Sequence, residues 1–136
     1  MLASEALSRR CLMTGAVLSM LVVMLGAFGA HFLKAQMTQD MLLVYKTGIQ
    51  YQMYHSFALI LVGVLAQENS KELVYKRFKI AAFLFLFGIG VFSGSLYILS
   101  ITGIKFIGAF TPIGGLAFIV GWFYFFLAVK EIKHNE

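Results

Sequence analysis

Four long apolar stretches, Cys11 to Leu33, about Gly48 to Gln67, Lys79 to Ser100 and Ile107 to Val129, take up most of this 136-residue chain. Each is about twenty residues or more, and at about 1.5 Å rise per residue a helix of that length spans a hydrocarbon core of roughly 30 Å. The pattern predicts an all-α membrane protein. With 60% hydrophobic and 12% charged residues, a soluble domain this small would have too little polar surface to face water. Arg9 and Arg10 ahead of the first stretch resemble the start of a signal peptide. That stretch is longer than a typical signal core, though, and it continues through Gly26, Ala27, Gly29 and Ala30 to His31 without a polar start to a mature domain. It is therefore read as a retained helix. The single cysteine, Cys11, excludes an internal disulfide and any multi-cysteine metal site.

The net charge of +5 gains its meaning from where the charges sit. With four spans, the N-terminus, the middle loop and the C-terminus share one side. That side holds Arg9, Arg10, Lys71, Lys76, Arg77, Lys79, Lys130 and Lys133, against only Lys34, Lys46 and Lys105 on the other. The asymmetry places both termini in the cytoplasm. Basic residues at helix ends also attract anionic headgroups by about 1 kcal/mol each, so no nucleic-acid partner is needed to account for them.

The connections leave no room for a soluble domain. Lys34 to Thr47 contains Met41, Leu42, Leu43, Val44 and Tyr45 and reads as an amphipathic, partly interfacial lead-in to the second helix. The loop near Glu68 to Arg77 is short and charged, and Ile101 to Phe106 turns at Thr102 and Gly103. Short links favour sequential antiparallel neighbours. The expected architecture is an up-down-up-down, antiparallel four-transmembrane-helix bundle forming one integral membrane domain over residues 1–136.

Helices in lipid associate through close backbone contact at small residues. Gly26 with Ala30, Gly90 with Gly94, and Ala117 with Gly121 supply three such pairs, read here as helix-packing surfaces; a thin groove for a lipid tail or partner helix is the alternative. On the packing reading, Gly94→Leu should loosen the bundle.

Polar residues within spans are costly unless paired, which marks them as functional candidates. The densest set is Tyr45, Lys46, Gln50, Tyr51, Gln52, Tyr54, His55 and Ser56 at the head of the second helix. Tyr51 and His55 share a face, as do Lys46 and Gln50. His31 lies near the same non-cytoplasmic boundary, so the two histidines are expected at similar depth. The candidate ligand-binding residues are His31, Gln50, Tyr51 and His55. The plainest reading has both imidazoles hydrogen-bonded structurally. A second makes them a titratable or polar binding site, and a third a metal or bis-histidine haem site. Two ligands fall short of the usual closed metal shell, and Asp40 is the sole acidic residue between them. No metal or other cofactor is assigned.

Ser93, Ser95 and Ser100 can return their hydroxyls to a carbonyl one turn earlier, and none has a partnered base to make it a nucleophile. Pro112, the only proline, fits the start of the fourth helix, with Thr111 as its cap. Trp122 and Tyr124 sit too deep to form only an interfacial belt and are expected to pack against small-residue faces or lipid.

Four strings, GAFGAH (Gly26 to His31), YKTGIQYQMYHS (Tyr45 to Ser56), FSGSLY (Phe92 to Tyr97) and TPIGG with a later GW (Thr111 to Gly115, Gly121 to Trp122), resemble the YgdD/YwdK family. These are small bacterial inner-membrane proteins grouped as domain of unknown function 423. The match runs from about Gly15 to Lys133 in order and spacing. It implies a four-helix inner-membrane protein and supplies no mechanism.

No catalytic set is visible, so an enzyme is not expected. The leading expectation is a non-enzymatic accessory or scaffold protein packing with itself or with a larger membrane complex, its partners being the lipid bilayer and other membrane helices. The alternative is a protein that binds or transports a small solute, ion or lipid through a polar His/Tyr/Gln site near the non-cytoplasmic face. A haem- or metal-carrying redox subunit ranks third.

Overall fold

The computed structural model describes residues 3–69 and 71–132; Lys133, counted above among the basic flanks, lies outside the described residues. Hydrocarbon offers backbone groups no water, so each apolar stretch must close its own hydrogen bonds, and a helix does this within one segment. The elements are α1 (Ala3–His31), α2 (Gln39–Gln67), α3 (Glu72–Gly88), α4 (Gly94–Thr102) and α5 (Thr111–Glu131). A π-helical turn, Ile89–Ser93, joins α3 and α4, and 3₁₀ turns occur at Leu33–Ala35 and Lys105–Phe110. No strand occurs among the described residues. Among the described residues four helical rods are long and apolar enough to cross a membrane, since α3, the π turn and α4 run on as Glu72–Thr102.

The rods outrun most of the apolar stretches because their polar flanks contain nothing that breaks a helix. α1 begins at Ala3 rather than Cys11, and residues 39–47, expected to form a lead-in segment, are the first turns of α2. α2 starts where Thr38, with extended backbone, accepts the Met41 N–H on its hydroxyl at 3.3 Å. α4 stops at Gly103, whose φ of +70° is the left-handed conformation glycine adopts without strain. Its N–H closes on the Leu99 carbonyl at 2.8 Å. The entry to α5 differs from expectation. Phe110 holds the boundary position, and Thr111 is already helical. Its hydroxyl lies 2.7 Å from Ser95 Oγ instead of capping the helix.

α2 is the central rod: it packs along α1 and also meets α3, the π turn and α4, while α5 packs along α3 and the π turn. Leu59, Val62, Val74, Phe78, Ala81 and Phe85 form the fully buried centre. Bare glycine backbone allows the closest approaches. Gly15 faces Ser56 and Ile60, Gly63 faces Leu12, and Gly29 faces the Tyr45 ring. On the other side Gly88 faces the Phe118 ring, Gly121 faces Phe85, and Gly114 lies against the Phe92 backbone. Arg77 donates to the Leu127 carbonyl at 2.8 Å and lies 3.0 Å from the Glu131 carboxylate, tying the start of α3 to the end of α5.

Of the small residues expected to pack helices, Ala117 and Gly121 lie buried on the α3-facing side of α5. Gly26, Gly90 and Gly94 face open space, with nothing within 4 Å of an added Cβ, and Ala30 is exposed. The π turn explains the third-rod pair. Gly94 donates its N–H five residues back, to Ile89, which breaks the four-residue repeat that a Gly90–Gly94 face needs. Gly88 and the Phe92 backbone meet α5 instead. A Cβ added at position 94 meets no heavy atom within 4 Å, so the close backbone approach on which the expected loosening rests does not occur at this position.

Candidate functional site

The polar residues of α2 divide between two faces. The first is closed. Tyr45 donates to the Leu25 carbonyl at 2.7 Å, and Gln52 Nε2 donates to the Leu18 carbonyl at 3.1 Å, both on α1. Gln52 Oε1 accepts the Tyr97 hydroxyl of α4 at 2.7 Å, and Ser56 returns its hydroxyl to the Gln52 carbonyl at 2.7 Å. Tyr45, Gln52 and Ser56 are buried, so each polar group has a partner where none is available from solvent. Glycines make this geometry fit: Gly29 yields to the Tyr45 ring and Gly48 to the Tyr97 ring. The group pins α1, α2 and α4 together.

The second face is open. A cleft of about 640 Å³ lies between α2, the π turn and α5, walled by Tyr51, Tyr54, His55, Phe92, Phe118 and Trp122, with Gly115, Ile119 and Phe57 completing the lining. The His55 ring stacks on Phe118, with centroids 3.4 Å apart and planes 8° apart. Its Nδ1 lies 2.7 Å from the Tyr51 carbonyl, and its Nε2 is 3.1 Å from Trp122 Nε1. An indole N–H only donates, so Nε2 accepts and Nδ1 carries the proton that reaches Tyr51. His55 is a neutral imidazole with both nitrogens engaged. Tyr51 leans on Phe92 with centroids 4.5 Å apart, and Trp122 on Phe85 at 5.0 Å. The mouth stays accessible: Tyr51 is 37% exposed and Ile119 68%.

This cleft presents ring faces and few free polar groups. Its volume and lining suit an apolar body held by shape and aromatic contact. The Ser56 hydroxyl is buried and already donated, so it offers no nucleophile to the cleft. Among the described residues, no three of His, Cys, Asp and Glu gather closely enough to hold a metal ion.

The four candidate ligand-binding residues separate. Tyr51 and His55 share the cleft. Gln50 hydrogen-bonds the Tyr54 hydroxyl at 2.5 Å and lines a different groove of about 140 Å³ with Gly26, Gly29, Ala30, Tyr45 and Lys46. His31 is exposed at the end of α1. The expectation that His31 and His55 lie at similar depth is corrected by the helix pairing. Gly29 meets Tyr45 while Gly15 meets Ser56, so the two imidazoles sit roughly 20 Å apart along the rods at 1.5 Å per residue. They cannot be the axial pair of one haem within this chain. Sequence reasoning missed Phe85, Phe118 and Trp122 as partners of His55. One signal was present: a deep indole N–H needs an acceptor, and α2 carries an imidazole within its span.

The strings that bear the family resemblance meet one another here. Gly29 touches Tyr45, Gly48 and Gln52 touch Tyr97, Tyr51 touches Phe92, and Ser95 pairs with Thr111. Residues 25–115 match the family model described as a protein of unknown function, DUF423. The chain is 44% identical over 120 residues to the UPF0382 membrane protein YwdK of Bacillus subtilis (strain 168), covering 88% of this chain and 94% of the relative. A UPF0382 membrane protein of Staphylococcus haemolyticus is 44% identical over 108 residues, 79% of this chain and 84% of the relative. One from Staphylococcus saprophyticus is 42% identical over 118 residues, with 87% and 94% covered. No solved structure gives a significant match.

Proposed function

The chain belongs to the DUF423 family, and from that premise we propose that it is a non-enzymatic, multi-pass protein of the bacterial inner membrane that holds the apolar part of a bilayer-derived amphiphile in its aromatic cleft. The carrying observation is the open, aromatic-walled cleft of about 640 Å³ in which both His55 nitrogens are already engaged, by Tyr51 and Trp122. Such a site rewards hydrocarbon and offers little to an ion. The reading includes an antiparallel, up-down-up-down bundle. Contact pairs along α1 and α2 (Leu12 with Gly63, Gly29 with Tyr45) and along the third and fourth rods (Phe85 with Gly121, Phe92 with Gly114) favour it, because residue numbers rise on one rod as they fall on the other. The loop charges favour cytoplasmic termini.

Trp122 is the only tryptophan and lines the cleft, so it reports occupancy. In detergent, phospholipid with brominated acyl chains should quench its emission saturably. Gly115→Phe, which projects a ring from the cleft wall, should abolish the saturable part. Quenching that rises linearly with lipid and is unchanged in the variant would defeat the reading.

A second reading, an accessory or scaffold subunit, draws support from the unused small residues. Gly26 with Ala30 as a pair, and Gly94 as a single small position after the π turn, leave their surfaces open to a partner helix. Gly94→Leu should then leave the thermal transition of the isolated protein unchanged yet remove a partner captured by crosslinking in cells.

A further inference from the structure

We propose, building on the cleft reading above, that the amphiphile held between α2 and α5 is uncharged and headed by a flat, carbonyl-bearing ring, the chemistry of a membrane quinone. Depth is the first reason. The middle residue of the Gln39–Gln67 rod is Met53, and that of the Lys105–Glu131 rod is Phe118. Tyr51, Tyr54 and His55 flank the one, and Trp122 lies one turn from the other. Phe92 stands little more than one turn from Phe87, the middle of the Glu72–Thr102 rod. The cleft therefore opens at mid-rod, where a spanning helix crosses the centre of the hydrocarbon. A phosphate or ammonium headgroup is costly to bring there, and the cleft lining contains no Asp, Glu, Lys or Arg to receive one.

The walls suit a planar group. His55 and Phe118 are 8° from parallel, Tyr51 and His55 19°, and Tyr51 and Phe118 26°. Nearly parallel ring faces of this kind favour stacking of a flat conjugated ring. The polar atoms left over are donors. Both His55 nitrogens are engaged within the protein. Gln50 Nε2 donates to the Tyr54 oxygen, which leaves that phenol its own proton, and the Tyr51 hydroxyl bonds no described residue. Tyr51 and Tyr54 stand at the mouth, 37% and 51% exposed. Hydrocarbon gives a phenol proton nothing to bond, so the complementary ligand brings acceptors. A quinone carbonyl accepts only, carries no charge and lies in the plane of the ring that stacks. A saturated acyl chain leaves both phenols unmet, and a long-chain alcohol supplies an acceptor without a plane.

The test titrates the full chain in detergent micelles with a decyl-substituted benzoquinone, which quenches indole emission on contact. Quenching of Trp122 should saturate. Tyr51→Phe should raise the half-saturating mole fraction about fivefold, the factor of one hydrogen bond, and Tyr51→Phe combined with Tyr54→Phe about 25-fold. Tyr124→Phe removes a phenol outside the cleft lining and should keep the wild-type midpoint. Decylbenzene has the same tail and a ring without carbonyls, and should displace the quinone only at about 25-fold higher mole fraction. Helicity matching wild type identifies the variants as folded, and the decylbenzene competition decides the matter on wild type alone if they are not. Quenching that rises linearly with quinone, a midpoint unmoved in the double variant, or competition by decylbenzene at equal mole fraction overturns the assignment. Brominated phospholipid in the same micelles tells the two failures apart. Saturable quenching by its chains beside any of those three results removes the quinone and leaves the cleft, whereas linear quenching by both probes removes both.

Discussion

The two faces of α2 solve the same problem in opposite ways. Toward α1 and α4, Tyr45, Gln52 and Tyr97 bond one another or helix carbonyls and are sealed by close glycine contacts. Toward α5, His55 also has both nitrogens satisfied, yet its surroundings remain an open cleft. Hydrogen-bond satisfaction does not distinguish structure from site here; the distinction lies in what fills the adjoining space. On the closed face the partner is the protein itself. On the open face, apolar ring surface is left uncovered by the protein.

The sharpest way to break this contrast is to attack the backbone contact that holds the cleft's far wall. A Cβ at Gly114 would collide with the Phe92 backbone, which cannot yield as a flexible side chain can. Gly114→Leu should therefore destabilise the protein by about 3 kcal/mol or more, measured by unfolding in mixed micelles. A smaller loss follows on the closed face. Gln52→Leu strands the Tyr97 hydroxyl and releases the Leu18 carbonyl, and should cost about 1–2 kcal/mol in the same assay. His55→Ala should cost about 1 kcal/mol through the lost ring stack and the freed indole N–H, with a shift in Trp122 emission and helicity unchanged. A cost for His55→Ala exceeding that of Gln52→Leu would make the open face the structural one and reverse the comparison. The smallest effect belongs to Gly90→Ala, within about 0.5 kcal/mol, because that position opens onto empty space.

How much was legible beforehand varies with the physics behind each feature. Membrane spans are written in composition and length, and the positions of Pro112 and Gly103 at helix ends follow from backbone restrictions local to each residue. The packing role of individual glycines was not legible. Gly90 and Gly94 have the spacing of an interface but lose it to the π turn, whereas Gly29, Gly48 and Gly114 carry the contacts without an evident pattern. His55 and Tyr51 could be picked from the chain as neighbours on one face. Their partners Phe118 and Trp122 lie over sixty residues away, and apolar rings in a span rich in them give no sign of which ones converge.

The sequence by itself determined the solvent, the helical class and the four spans, because hydrocarbon leaves a peptide backbone so few ways to satisfy its hydrogen bonds. Tertiary structure alone decided that the two histidines stand apart and that one α2 face is sealed and the other open. Those outcomes depend on helix register and on one π turn, which are set by the mutual fit of side chains distant in sequence rather than by any local preference.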